Sequence, residues 1–352
     1  MKNFKALKYS IGFILPVLTW YSFSSHGWVT YLPLLYTFFV IPLVELVLKP
    51  DPSNFNQTEQ ASELDNVLYD ILIYLMVPVQ LVTLGFFLVS MQEEGLMLLD
   101  KVGRISSMGL CCGILGINIG HELGHRKHKY EKWMAKINLM TSLNMHFMHE
   151  HNIHHHRMVS TPEDPATSKL GEPVYFFWFR SIFGVYSWAW KLEKQRLKRK
   201  GIHFWSIRNQ MITDHVIEIG LVMIIGFFFG LSVLGYFVLA ALMGHFILET
   251  VNYIEHYGLK REKKGDRYER VMPQHSWNSD HILGRLNLFE LSRHSDHHFI
   301  ASRKYQILRH MDDSPQMPTG YPGMMLLSLI PPIWFAVMNP KVTKINQNKA
   351  MD

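Results

Sequence analysis

Cysteine is almost absent: two residues in 352, Cys111 and Cys112, adjacent within an apolar run. Neighbouring thiols cannot staple distant segments, and two sulfurs cannot complete a four-cysteine metal site, so a disulfide framework and an internal cysteine-held iron are both excluded. Metal chemistry in this chain therefore belongs to histidine and carboxylate. Charge is also scarce, with Asp, Glu, Lys and Arg at 18% of residues. Inside the apolar runs the ionisable residues are few (Glu45, His215, Glu218, His245 and Glu249 among them) and mostly near the ends, which argues against a histidine-lined metal transporter. The surplus of positive charge, +6, sits beside apolar segments and fits an anionic membrane surface better than nucleic acid. No small-residue cleavage site follows the first apolar segment, which runs into Trp20 and Tyr21, so it is expected to stay as a helix.

What is abundant is apolar surface: 48% of residues are hydrophobic and 13% aromatic. They fall in runs at about 9–23, 29–48, 71–89, 102–120, 215–231 and 233–250, each near the roughly 20 residues that cross a hydrocarbon core, the first being short. The expected fold is an all-α membrane protein, a six-helix transmembrane bundle in three hairpins. Short links at 24–28 and 230–232 support the pairing, and the polar stretch 50–66 reads as a connector. A further apolar stretch, 324–338, carries Pro331 and Pro332 and is expected to pack at the interface rather than span. Lysines at the N-terminus and the block KLEKQRLKRK, 191–200, mark cytoplasmic faces four crossings apart. Blocks 121–213 and 251–321 then form a cytoplasmic cap of a single domain spanning 1–352, without repeats.

Nine of the 20 histidines fall in short clusters: His121 and His125 in HELGH, His151, His155 and His156 in HNIHHH, His256 in NYIEHYG, and His294, His297 and His298 in RHSDHH. On a helix, residues three or four apart share a face, so two imidazoles there can converge on one ion. A zinc site closes with three or four ligands, whereas nine imidazoles fill most of two six-coordinate shells, which suits a pair of redox iron ions and oxygen activation. In the middle cluster His154, His155 and His156 are all within reach of His151, and spacing leaves the pair open. Isolated histidines, His26, His128, His203, His215, His245, His281 and His310, read as ordinary hydrogen-bonding groups. Glu122, Glu150, Asp164, Glu255 and Asp296 are candidates to orient ligating imidazoles or else to pair with nearby arginines.

HELGHRK, EHNIHHHRMVSTPEDPATS, NYIEHYGL, HSWNSDH and LSRHSDHH resemble the signature boxes of the membrane-bound alkane 1-monooxygenases, integral-membrane non-haem di-iron enzymes. The resemblance runs from about the first apolar segment to Pro340. It implies that His121, His125, His151, His155, His156, His256, His294, His297 and His298 hold two iron ions, and that alkane, dioxygen, two electrons and two protons give a primary alcohol and water. It also implies rubredoxin, with its reductase, as electron donor, n-alkane entering from the bilayer, and residence in the bacterial inner membrane with the active site facing the cytoplasm. The chain departs from the family at His154, where a small residue is usual, and at His149, usually apolar, so the pair His154 and His155 stands beside His155 and His156. Fatty-acid desaturases, fatty-acid hydroxylases and the xylene-monooxygenase type share histidine boxes; the RHSDHH, NYIEHYG and TPEDPA segments favour alkanes, and a desaturase would show the boxes without these companions. Lys191, Lys194, Arg196, Lys198, Arg199 and Lys200 are candidates for docking an acidic donor, and lipid contact is their ordinary alternative. Thr37, a small residue before Pro42 on the second apolar segment, is a candidate to line the substrate channel.

Overall fold

A computed structural model describes residues 2–349. The first apolar run is wound as a 3₁₀ stretch, Lys2–Phe13, continued by a helix, Ile14–Phe23 (α1). It is followed by Gly27–Val47 (α2), Val67–Ser90 (α3) and Leu98–Gly124 (α4). Two shorter helices, Lys129–Met140 (α5) and 147–158 (α6), precede Val174–Arg199 (α7) and the long Gln210–His256 (α8). The chain closes through His294–Phe299 (α9), Tyr321–Ser328 (α10) and Pro331–Lys349 (α11). Strand structure among the described residues is confined to one small hairpin, Lys263–Lys264 with Arg267–Tyr268.

Helices α2, α3, α4 and α8 are long and apolar enough to cross a membrane, and the bent pair α10 and α11, folded by 118°, raises the count to five if it is one span. Six were expected, and the difference has two sources. Helix α1 alone is too short, while α8 contains two expected crossings. Gly230 divides them, with φ 84° and ψ 163°, a conformation that a side chain disfavours. Glu218 before it accepts a bond from Met145 N at 2.7 Å, and His245 after it lies 3.0 Å from the carbonyl of Ser142, so the two arms of α8 return to the same place.

Burial ranks the helices. In α4, 78% of the most apolar window is buried inside the protein, against 17% in α8, so α4 is the central post and α8 the lipid-facing wall. A Cβ at Gly109 or Gly113 would come within 2.7 or 2.8 Å of Met243 or Ile247, so these glycines let α4 and α8 approach closely. Cys111 and Cys112 are both free and buried in this packing. Helix α7 lies across the near ends of both arms of α8. Its Trp178 donates to Thr250 at 3.0 Å, and its Glu193 accepts from Gln210 N at 2.6 Å.

Candidate metal centre

Four elements bring the nine histidines together. The central post α4 carries His121 and ends beside His125; α6 carries His151, His155 and His156; α8 ends on His256; and α9 carries His294, His297 and His298. Their potential ligand atoms fall into two groups, each within 4.8 Å: His121, His125, His151, His156 and His297 in one, and His155, His256, His294 and His298 in the other. The groups adjoin, with the rings of His156 and His298 4.4 Å apart.

The local winding of α6 decides the middle cluster. Residues His151–His155 form a π-turn, and the backbone N–H of His156 donates to the carbonyl of His151, five residues back. A π-turn carries more residues per turn than an α-helix, so positions i and i+5 share a face. That places His151 and His156 in the five-histidine group, their Nε2 atoms 3.1 Å apart, and turns His155 to the other group. His154 points away, stacked on Trp188 with ring centroids 3.8 Å apart and 3.1 Å from the carbonyl of Glu163. His149 binds Asp214 at 2.7 Å and His275 binds Glu269 at 3.0 Å, both outside the two groups.

The donor set fits metal. Nε2 of His125, His155 and His297 and both ring nitrogens of His298 are buried without a hydrogen-bond partner, and the Nε2 atoms of His256 and His294 face each other at 3.3 Å. Buried unpaired nitrogens cost free energy that coordination removes. Burial, reinforced by the neighbouring imidazoles, pushes His151, His156, His294, His297 and His298 well below the usual imidazole range, and burial holds His125 at about 3. These imidazoles are therefore neutral at pH 7, the form in which imidazole binds a cation.

The five candidate carboxylates divide. Asp164 accepts from Nδ1 of His155 at 2.9 Å, which leaves Nε2 of His155 aimed into the centre. The TPEDPATS turn holds that carboxylate through Thr167 Oγ1 at 2.6 Å and Ala166 N at 3.0 Å. Burial raises Asp164, but the adjacent His155 and the hydrogen bonds from His155 and Thr167 outweigh it and keep the group below the usual range. Glu255 lies 3.1 Å from Nε2 of His294 and accepts from the hydroxyl of Tyr321 at 2.8 Å. Glu122 and Asp296 take the arginine reading instead, with Arg126 and Arg303. Glu150 is buried with one oxygen unbonded, and burial, then Asp164 and Glu249, push it well above the carboxylate range. Asp164→Asn keeps the shape but removes the negative charge and turns one of the two acceptor oxygens into a donor, so His155 Nδ1–H and Ala166 N can no longer both be satisfied. Metal affinity of the four-histidine group, followed by competition with a chelator, is expected to fall by roughly 10- to 100-fold.

Two narrow apolar cavities lead to this centre. The inner one reaches His121, His151 and His294, so it opens on residues of both groups. The outer one is lined by Leu15, Thr37, Phe38, Tyr321 and Met325. Ile114, Ile247, Val251 and Leu288 line both and form the neck between them. Nothing in local sequence patterning marked these four, because each reads as an ordinary apolar helix residue and only packing brings them together.

Residues 102–327 match the family model described as fatty acid desaturase. The chain is 39% identical to alkane 1-monooxygenase 1 of Alcanivorax borkumensis over 93% of this chain and 81% of that protein. It is 42% identical to the alkane 1-monooxygenase of Pseudomonas putida over 86% and 75%. Identity to the xylene/toluene monooxygenase hydroxylase component of Pseudomonas putida is 27%, over 89% and 83%. Together with two adjoining histidine groups beneath membrane-length helices, these matches place the chain in the alkane 1-monooxygenase family, within the wider membrane-bound fatty acid desaturase family.

Proposed function

We propose that this protein hydroxylates the terminal carbon of medium- to long-chain n-alkanes, with dioxygen as oxidant, two irons held by the nine histidines, and electrons from rubredoxin. The observation that carries the substrate class is the cavity pair. An unfunctionalised chain offers no polar handle, so it must be positioned by shape alone, and a narrow apolar passage ending on imidazoles does that by admitting the methyl end first. The aliphatic neck of Ile114, Ile247, Val251 and Leu288 favours a linear chain over the broader ring of an alkyl aromatic.

The overall change is alkane, dioxygen, two electrons and two protons to primary alcohol and water. Bound iron would supply oxygen activation. The five-histidine group would hold one ion and the four-histidine group the other, with Asp164 fixing the tautomer of His155. The surrounding apolar walls exclude bulk water. Cys111 and Cys112 are buried and cannot hold a redox centre, so the electrons come from a separate protein. The same reading places the protein in the bacterial inner membrane, with the histidine face and basic segments toward the cytoplasm.

The test is metal analysis of the purified protein combined with a product assay on octane and hexadecane, driven by rubredoxin and its reductase. Two irons per chain and 1-alkanol products are expected. Desaturated or ring-methyl-hydroxylated products in preference to 1-alkanols would overturn the reading.

A further inference from the structure

A second polar feature lies away from the metal centre, where α7 turns into α8. Lys136, Arg196, Lys200 and Arg208 line a groove of about 670 Å³, with Trp133, Ile202 and Ile207 as its apolar wall. Glu193 pairs with Arg196 at 2.5 Å and Asp214 with Lys136 at 2.5 Å. Among the described residues Lys200 and Arg208 make no ion pair, so the groove carries an excess of positive charge. It sits at the start of α8, a helix of membrane-crossing length.

The surroundings place this groove at lipid level. The outward stripe of α7 is aromatic in its first half, with Phe176, Phe179 and Phe183 exposed, and basic in its second, with Lys191, Lys194 and Lys198. Trp205 and Ile207, in the turn after α7, are 76% and 93% exposed. Below the groove, Val216, Ile219, Met223 and Phe227 form an exposed apolar strip along the first arm of α8. Cations above an apolar strip, with aromatics at the boundary, match a phosphate headgroup above its acyl chains. An acidic soluble protein would gain nothing from the apolar strip.

The geometry points to an anionic phospholipid bound in this groove, its phosphate held by Lys200, Arg208 and Arg196 and its acyl chains laid along Val216, Ile219, Met223 and Phe227. The site is separate from the metal centre, and lipid retention reads it without turnover. Lys200→Glu combined with Arg208→Glu changes two residues without ion-pair partners, so the fold and metal content are expected to persist. Wild type and variant would be assembled in nanodiscs of mixed phosphatidylglycerol and phosphatidylcholine, and retained lipid counted by native mass spectrometry. The wild type is expected to hold phosphatidylglycerol preferentially, and the variant to lose that preference by about tenfold. Equal retention by both proteins overturns the proposal. So does retention of inorganic phosphate without preference between the lipids, which would make the groove a free-anion site. A variant that keeps its lipid but loses the salt dependence of donor-driven turnover would assign the groove to the electron donor instead, and would also overturn it.

Discussion

His256→Ala is expected to remove alkane hydroxylation almost entirely while the protein still inserts in the membrane. His256 is fully buried at the last position of α8, and its loss leaves the four-histidine group with three imidazoles. A group that merely orients a ligand costs up to roughly 100-fold when removed, so loss of the ligand itself should exceed that. Metal analysis should show about one of two ions lost, because the five-histidine group is untouched. His154→Ala is the matched control: it removes an imidazole stacked on Trp188, outside both groups, and metal content and turnover should stay near wild type. Full activity in His256→Ala would sink the ligand assignment. Loss of metal in His154→Ala with retention in His156→Ala would exchange the middle pair.

Substitution along the cavity should change which alkane reacts. Thr37 is buried and lines the outer cavity, beyond the neck as seen from the histidines. Thr37→Trp fills the space that only the far end of a long chain needs, so hexadecane turnover should drop by about tenfold or more while octane is spared. Val251→Trp places the same bulk in the neck, which every chain must pass, and should reduce both substrates together. Metal content should remain two ions in both variants, which separates blockage from misfolding. Equal losses on octane and hexadecane in Thr37→Trp, with metal retained, would place the reacting methyl group elsewhere.

The all-helical class, the membrane-length segments and the histidine clusters were legible from sequence because each rests on local rules. An apolar run of bilayer length has few alternatives in lipid, where backbone groups must bond within the segment. Histidines at i, i+3 and i+4 share a face in any α-helix. The adjacent Cys111 and Cys112 excluded a four-cysteine site for the equally local reason that two thiols cannot complete it.

What only the tertiary structure decided was everything that depends on a departure from regular winding or on distant residues meeting. The π-turn at His151–His155 pairs His151 with His156 and turns His154 out onto Trp188, whereas an α-helical reading left three candidates for one place. The division into five and four histidines comes from the convergence of α4, α6, α8 and α9 and has no signature in any one segment. The same holds for the carboxylates: Asp164 reaches an imidazole while Glu122 and Asp296 spend their bonds on arginines, although all five candidates lie beside histidine boxes. The neck of Ile114, Ile247, Val251 and Leu288 joins three separate regions of the chain. Sequence spacing sets which face a residue occupies; helix packing sets what that face meets, and that second step turned a list of imidazoles into two histidine groups beside an apolar cavity.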